Sequence, residues 1–262
     1  MTEASPLATT RVRHPLKRRL LQVTRVTSVT PHLKRVTLTG DDLDDFVSAS
    51  FDDHVKVFFP LPGQTRPALG EGEEKPIARD FTPRRYDAVG NTLEIDFAIH
   101  DAGPATRWAA QAKSGDELAL GGPRGSFIIP VNYDWHLLVG DETALPAISR
   151  RLAELPPKTR AVVVGEVEGA ADELSFATQA NATVIWAHRN GAAAGASDAM
   201  AKALTTLKMP AGDYYAWVAC ESLTAKALRR QLIADHGANP KWMRAAGYWR
   251  RGTAAVHDVH ED

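Results

Sequence analysis

Cysteine is nearly missing from this sequence. Cys220 is the only one in 262 residues. A single thiol excludes an internal disulfide, a cysteine-rich zinc site and an iron–sulfur cluster held by one chain. Redox chemistry would then have to run through a bound organic cofactor. No apolar run approaches the roughly 18 residues that span a bilayer, so membrane insertion is not expected. Neither charge dominates. Lys and Arg number 31 against 32 Asp and Glu, a formal net charge of -1, which argues against strong global attraction to nucleic acid. G-x-G-x-x-G, G-x-S-x-G and H-x-x-x-H are absent, and the scattered histidines give no metal-ligand spacing, so no metal site is expected. Met1 to Thr10 are small and polar without the apolar core of a secretory signal, which points to a cytoplasmic protein. The length suggests two domains.

The first half is rich in strand signals. Leu20 to Thr39 holds two Val/Thr/Leu-rich runs punctuated by Pro31 and Gly40. His54 to Pro60, Arg79 to Arg84, Thr92 to His100, and the pair Glu117–Leu120 and Ser126–Ile129 extend the series. About six short strands with close turns predict an antiparallel six-stranded barrel. It is interrupted by one helix, Pro104 to Ala112, which has a proline start and good helix formers. Residues 1–14 read as a flexible tail and 15–131 as the barrel domain.

The second half alternates. Trp135–Gly140, Arg160–Gly165, Ala182–Ala187 and Tyr214–Ala219 are short apolar strands, and Ala144–Leu155 and Leu223–His236 are helical. This pattern predicts a parallel sheet over residues 132–262, with ligands at the carboxyl ends of its strands.

Several segments pair a possible chemistry with an ordinary structural reading. In Arg79-Asp80-Phe81-Thr82-Pro83-Arg84, strand alternation places Arg79, Phe81 and Pro83 on one face. That arrangement suits a flavin, although from spacing alone an edge strand with solvated arginines fits better. At His100-Asp101-Ala102-Gly103-Pro104-Ala105-Thr106 a strand turns into a helix. Its first N–H groups form an anion site, or simply a corner. At Gly140-Asp141-Glu142-Thr143-Ala144, Asp141 or Thr143 can cap the following helix, and the acidic pair would repel phosphate. Lys241 to Gly252 concentrates cations and aromatics, as a basic, aromatic-lined mouth or as a tail helix anchored by its tryptophans.

Taken in order, HVKVFFP (His54–Pro60), RDFTPR (Arg79–Arg84), DFAIHDAGPATRWA (Asp96–Ala109), GGPRGSF (Gly121–Phe127), GDETALPAI (Gly140–Ile148) and GYWRRG (Gly247–Gly252) resemble the siderophore-interacting proteins. These are flavin-dependent ferric-siderophore reductases related in fold to ferredoxin–NADP reductases. The resemblance implies an FAD-binding barrel followed by an NAD(P)H-binding α/β domain. It implies Arg79 near the flavin phosphate, Phe81, where the family has Tyr, against the ring or ribityl chain, and Thr82 near N5 as the catalytic contact. His100, Ala102, Gly103, Ala105 and Thr106 would line the diphosphate and adenine side. Asp141, Glu142, Thr143, Ala144 and Glu221 would lie beside the nicotinamide nucleotide. Arg189 would meet a 2′-phosphate, which favours NADPH over NADH. Lys56, Arg250 and Arg251 would hold the ferric siderophore. The implied activity is reduction of Fe(III) chelates by NAD(P)H through FAD in a cytoplasmic monomer. The alternatives are a ferric-siderophore-binding protein without turnover, or a general flavin reductase working with a ferredoxin-type partner.

Overall fold

The computed structural model describes residues 7–61, 63–67, 76–99, 103–253 and 258–260. The chain forms two compact units, Thr9–Ile129 and Pro130–Asp262, and Leu7 and Ala8 belong to the second.

The Thr9–Ile129 unit contains β1 (Thr10–Arg13), β2 (Arg18–Thr30), β3 (Leu33–Thr39), β4 (Val55–Phe59), β5 (Ile77–Phe81), β6 (Arg85–Asp87) and β7 (Thr92–Ala98). α1 (Pro104–Gln111), β8 (Glu117–Gly121) and β9 (Gly125–Ile128) follow. Seven strands make one sheet in the order β5-β4-β8-β2-β3-β7-β6, every neighbour antiparallel, and β1 pairs with β9 in a separate ribbon. The expected six strands are therefore seven plus a two-stranded ribbon. Two short elements, β1 and β6, have no counterpart among the strand segments read from sequence. β1 has all four side chains exposed and so no burial alternation to read, although its residues had looked like a flexible tail. β6 is only three residues long. Elsewhere the alternation works as physics requires: Leu21 and Val23 of β2 and Leu93, Ile95 and Phe97 of β7 point into one core.

The second unit contains β10 (Trp135–Gly140), α2 (Leu145–Glu154), β11 (Arg160–Val167), β12 (Asn181–His188), α3 (Ala199–Thr206), β13 (Tyr214–Glu221), α4 (Ser222–His236), β14 (Met243–Trp249) and β15 (Asp258–His260). The sheet order is β12-β11-β10-β13-β14-β15. The first five strands are parallel, and β15 pairs antiparallel with β14, so the sheet is mixed rather than wholly parallel. β10 is buried at every position, as a central parallel strand must be. The chain runs outward from β10 through β11 to β12, then returns to place β13 on the other side of β10. That reversal makes a switch point between β10 and β13. Lys241–Gly252 contributes β14, not a tail helix. No helix among the described residues is long and apolar enough to cross a membrane.

Candidate functional site

On the barrel unit, aromatic packing gathers the predicted flavin segments. The Phe81 ring lies 4.5 Å from Phe97 and 6.2 Å from Phe59, and Trp108 of α1 lies 5.6 Å from Phe97 and 5.9 Å from Phe59. The ends of β5 and β7 and the body of α1 thus share one cluster, although 27 residues separate Phe81 from Trp108 in sequence. β5 stops at Phe81, so Thr82 and Arg84 follow the strand rather than alternating along it. Thr82 is buried and Phe81 half-buried. The half-buried Arg79 guanidinium donates to the neighbouring Ala78 carbonyl at 2.7 Å, and its other N–H groups have no partner among the described residues. Nε of Arg84 is buried and has no partner among them either, and burial pushes this guanidinium down.

α1 begins with Pro104 after Gly103, and no side chain caps it. The Ala105 and Thr106 N–H groups sit in that first turn. A Cβ on Gly103 would meet nothing within 4 Å, so the turn opens on free space. His100 and Ala102 lie outside the described residues. Uncommitted guanidinium donors, an open helix start and a half-exposed aromatic are the partners a flavin dinucleotide requires, so the residues present fit FAD. Lys56, expected to hold the ferric siderophore, is ion-paired to Asp80 at 2.7 Å across the β4–β5 register and keeps its side chain 46% exposed.

On the α/β unit the carboxyl ends of five parallel strands converge. Trp249 Nε1 donates to Asp141 Oδ2 at 2.8 Å, joining the end of β14 to that of β10. Asp141 Oδ1 also accepts the backbone N–H and hydroxyl of Thr143. Neither Asp141 nor Thr143 caps α2, whose N-cap is Ala144 without a side-chain bond. Glu221 accepts the Thr224 N–H at 2.9 Å and so caps α4. Its other oxygen accepts the Arg251 N–H at 3.4 Å. This carboxylate, expected to face the nicotinamide, is occupied by the fold.

Arg189 departs furthest from expectation. Its side chain is 6% exposed and ion-paired to Glu142, to Glu168 at 3.3 Å and to Glu166 at 3.8 Å. A guanidinium surrounded by three carboxylates is unavailable to a 2′-phosphate. The sequence shows a cation after the third strand but not that acids from the ends of β10 and β11 meet it there. Burial, reinforced by Asp141 and opposed by Arg189, raises the Glu142 carboxyl.

Glu166 is buried, and its Oε2 has no partner among the described residues. Burial first, then Asp141, push it up to about 7 from 4.5, against the pull of Arg189. The folded chain therefore binds this proton more tightly than the unfolded chain. Between 4.5 and 7 the folded state holds more protons, so this group's contribution to stability falls as pH rises through that window. Above 7 the buried carboxylate costs at most about 3 kcal/mol. Glu166→Gln is expected to raise the thermal midpoint at pH 8 more than at pH 5 in scanning calorimetry. An equal gain at both would contradict the assignment.

Known proteins resemble both halves. Residues 22–127 match the siderophore-interacting FAD-binding domain, and residues 133–252 match the family described as siderophore-interacting protein. The NADPH-dependent ferric-chelate reductase of Escherichia coli is 37% identical over 252 residues, covering 91% of this chain and 95% of that one. A siderophore utilization protein from T. fusca superposes with a TM-score of 0.89 at 39% identity, covering 95% of this chain and 98% of its own. A ferredoxin reductase of carbazole 1,9a-dioxygenase, 17% identical, has a TM-score of 0.66 over 88% of this chain and 67% of its own, and shares the fold alone. With both units matched by family models and a 37% identical relative covering 91% of it, the chain belongs to the siderophore-interacting protein family.

Proposed function

We propose that this chain is an NADPH-dependent, FAD-containing reductase of ferric siderophores, releasing Fe(II) for use in the cytoplasm. The observation that carries the reading is the aromatic cluster of the barrel unit. It joins the end of β5, which carries the partner-poor Arg79 and leads into the buried Thr82, through Phe97 to Trp108 of α1, a helix with an open start, and these are the kinds of donor an FAD requires. Its chelate specificity is inferred from likeness to the E. coli ferric-chelate reductase. When bound, FAD accepts an electron pair as hydride and gives electrons up singly, which matches a two-electron donor to one-electron iron.

Each residue's part follows from its place. Arg79, with the Ala105 and Thr106 N–H groups, would neutralise the diphosphate. Phe81 would wall the ring or ribityl chain. Thr82, small and buried, would offer a hydroxyl at N5 while leaving room for the incoming donor. Asp141, Glu142, Thr143 and Ala144 would border the nicotinamide nucleotide at the switch point. The iron needs no protein ligand, because the siderophore oxygens already hold it. Those hard donors prefer Fe(III) to Fe(II), so reduction itself loosens the chelate.

Lys56 would draw an anionic chelate toward the barrel unit. Its pairing with Asp80 and its exposure keep the effect modest. Lys56→Ala is expected to raise KM for an anionic ferric chelate about two- to fivefold at low salt. That difference should vanish at 1 M salt, where screening is complete within about 3 Å. A salt-independent change would remove Lys56 from substrate attraction.

The purified protein is expected to be yellow or to become so with added FAD, and NADPH should bleach it without oxygen. A colourless protein that takes up no FAD overturns the reading.

A further inference from the structure

The ribbon of β1 and β9 has two unlike faces. Residues paired across antiparallel strands project to the same side. Val12 pairs with Ser126, whereas Arg11 and Arg13 pair with Phe127 and Gly125. The ribbon is anchored on the side of Ser126. That residue is buried, donates to Asp53 Oδ2 at 2.7 Å, accepts the Ala49 N–H at 3.0 Å and lies 2.8 Å from His14 Nε2. The other side carries Arg11 and Arg13, both exposed, with the Arg11 guanidinium 5.3 Å from the centre of the half-buried Phe127 ring. A fixed base thus holds a cationic face out to solvent, where the sequence suggests a flexible tail.

More cations border that face. The His14 N–H donates to the Arg124 carbonyl, which sets the exposed Arg124 beside the end of β1. Arg18 is exposed at the start of β2 and lies over the Phe58 ring at 5.8 Å. Arg11, Arg13 and Arg124 have no ion pair among the described residues. Among these cations the chain exposes Leu16 at 64% and Leu20 at 41%. The acids closest to this stretch are partly committed. Asp42 and Asp45 are paired to Lys17 at 3.6 and 3.2 Å, and Asp45 also to Arg19 at 3.0 Å. Asp41 and Asp44 of the same turn stay exposed and would oppose an anionic surface modestly.

The mixture narrows the partner. The phosphates of a duplex call for cations and gain nothing from exposed leucines. A sheet of anionic headgroups attracts clustered arginines, and the acyl boundary beneath it takes up leucine tips. Guanidinium groups, weakly hydrated, suit that boundary better than ammonium groups. We propose that this ribbon face rests on an anionic lipid surface, with Arg11, Arg13, Arg18 and Arg124 against the headgroups and Leu16 entering the interface. The proposal concerns where the chain works and stands apart from the reductase reading.

Co-sedimentation of the full chain with lipid vesicles tests it. Vesicles of equal parts phosphatidylglycerol and phosphatidylcholine are expected to carry the protein down at about 50 mM salt and to release it at about 500 mM, where screening acts within a few ångström. Vesicles of phosphatidylcholine alone should leave it in solution. Arg11→Ala together with Arg13→Ala should weaken binding about 10- to 30-fold, roughly fivefold for each cation near such a surface. Arg124→Ala, outside both strands, should cost about fivefold by itself. It keeps the test decisive if circular dichroism shows that the ribbon variant has lost its fold. Leu16→Ser should weaken binding about threefold while leaving its salt dependence unchanged. Absence of binding to the anionic vesicles at low salt overturns the proposal. So does equal binding to both kinds of vesicle, or binding that survives the loss of these arginines in folded variants. A short DNA duplex bound more tightly than the vesicles would assign the ribbon to nucleic acid instead.

Discussion

Gly140→Ala is expected to destabilise the α/β unit by roughly 3 kcal/mol or more and to lower its thermal midpoint by about 6–12 °C. Gly140 ends β10, the central strand, where the backbone turns toward α2. A Cβ there would press on the Ala144 Cβ and sit 2.7 Å from the Ala219 carbonyl oxygen. Neither neighbour can retreat. Ala144 is fully buried as the N-cap of α2, and Ala219 is fully buried within β13, paired to Gly140 itself. The expected effect is thus a shift of backbone rather than of a side-chain tip, and it spreads to the strand ends that carry Asp141 and Glu221. Gly169→Ala is the control. Its φ of -169 is open to any residue, and a Cβ there meets nothing within 4 Å, so the change should stay within about 0.5 kcal/mol. Thermal unfolding of the two variants side by side decides the matter. Similar midpoints would mean that the carboxyl end of β10 is looser than described.

Arg79→Ala is expected to weaken FAD binding about 10- to 100-fold, the loss of one charge-assisted contact of roughly 1.5–3 kcal/mol. The apo protein should keep its stability. In the absence of FAD the Arg79 guanidinium donates only to the adjacent Ala78 carbonyl among the described residues, and the aromatic cluster behind it is untouched. Arg79→Lys should recover part of the affinity, since an ammonium supplies charge without the planar fork. Quenching of flavin fluorescence during titration of the apo protein measures all three. An unchanged FAD affinity in Arg79→Ala would remove this residue from the phosphate site.

Both predictions concern segments that the sequence marks clearly, and the reason is local. The apolar run Trp135–Gly140 fills a central strand, and Pro104 after Gly103 starts α1 as such a pair should. Other parts were not legible for equally physical reasons. β14 hides in a segment that reads as cations and aromatics. Its buried stretch is Ala245-Ala246-Gly247, small residues selected by close contact, since a Cβ on Gly247 would lie 2.7 Å from Ser222 Cβ. β1 shows no alternation because the ribbon exposes both its faces. Among the candidate site residues, the positions of Arg79 and Thr82 are readable because one lies on the short strand β5 and the other directly follows it. Arg189 and Glu221 are not. The partners that occupy them come from other strand ends or from the start of the next helix, and their pairing exists only once the sheet is assembled. A cation or carboxylate in sequence shows which charge is present, whereas its availability depends on the fold.

The most direct test of the central claim is anaerobic iron release from a ferric tris-catecholate by the FAD-loaded protein with NADPH, with Fe(II) trapped by ferrozine as it forms. The account predicts two Fe(II) trapped for each NADPH consumed, and none when FAD is left out. Flavin bleached by NADPH with no Fe(II) trapped, or chelate bound without turnover, would contradict it.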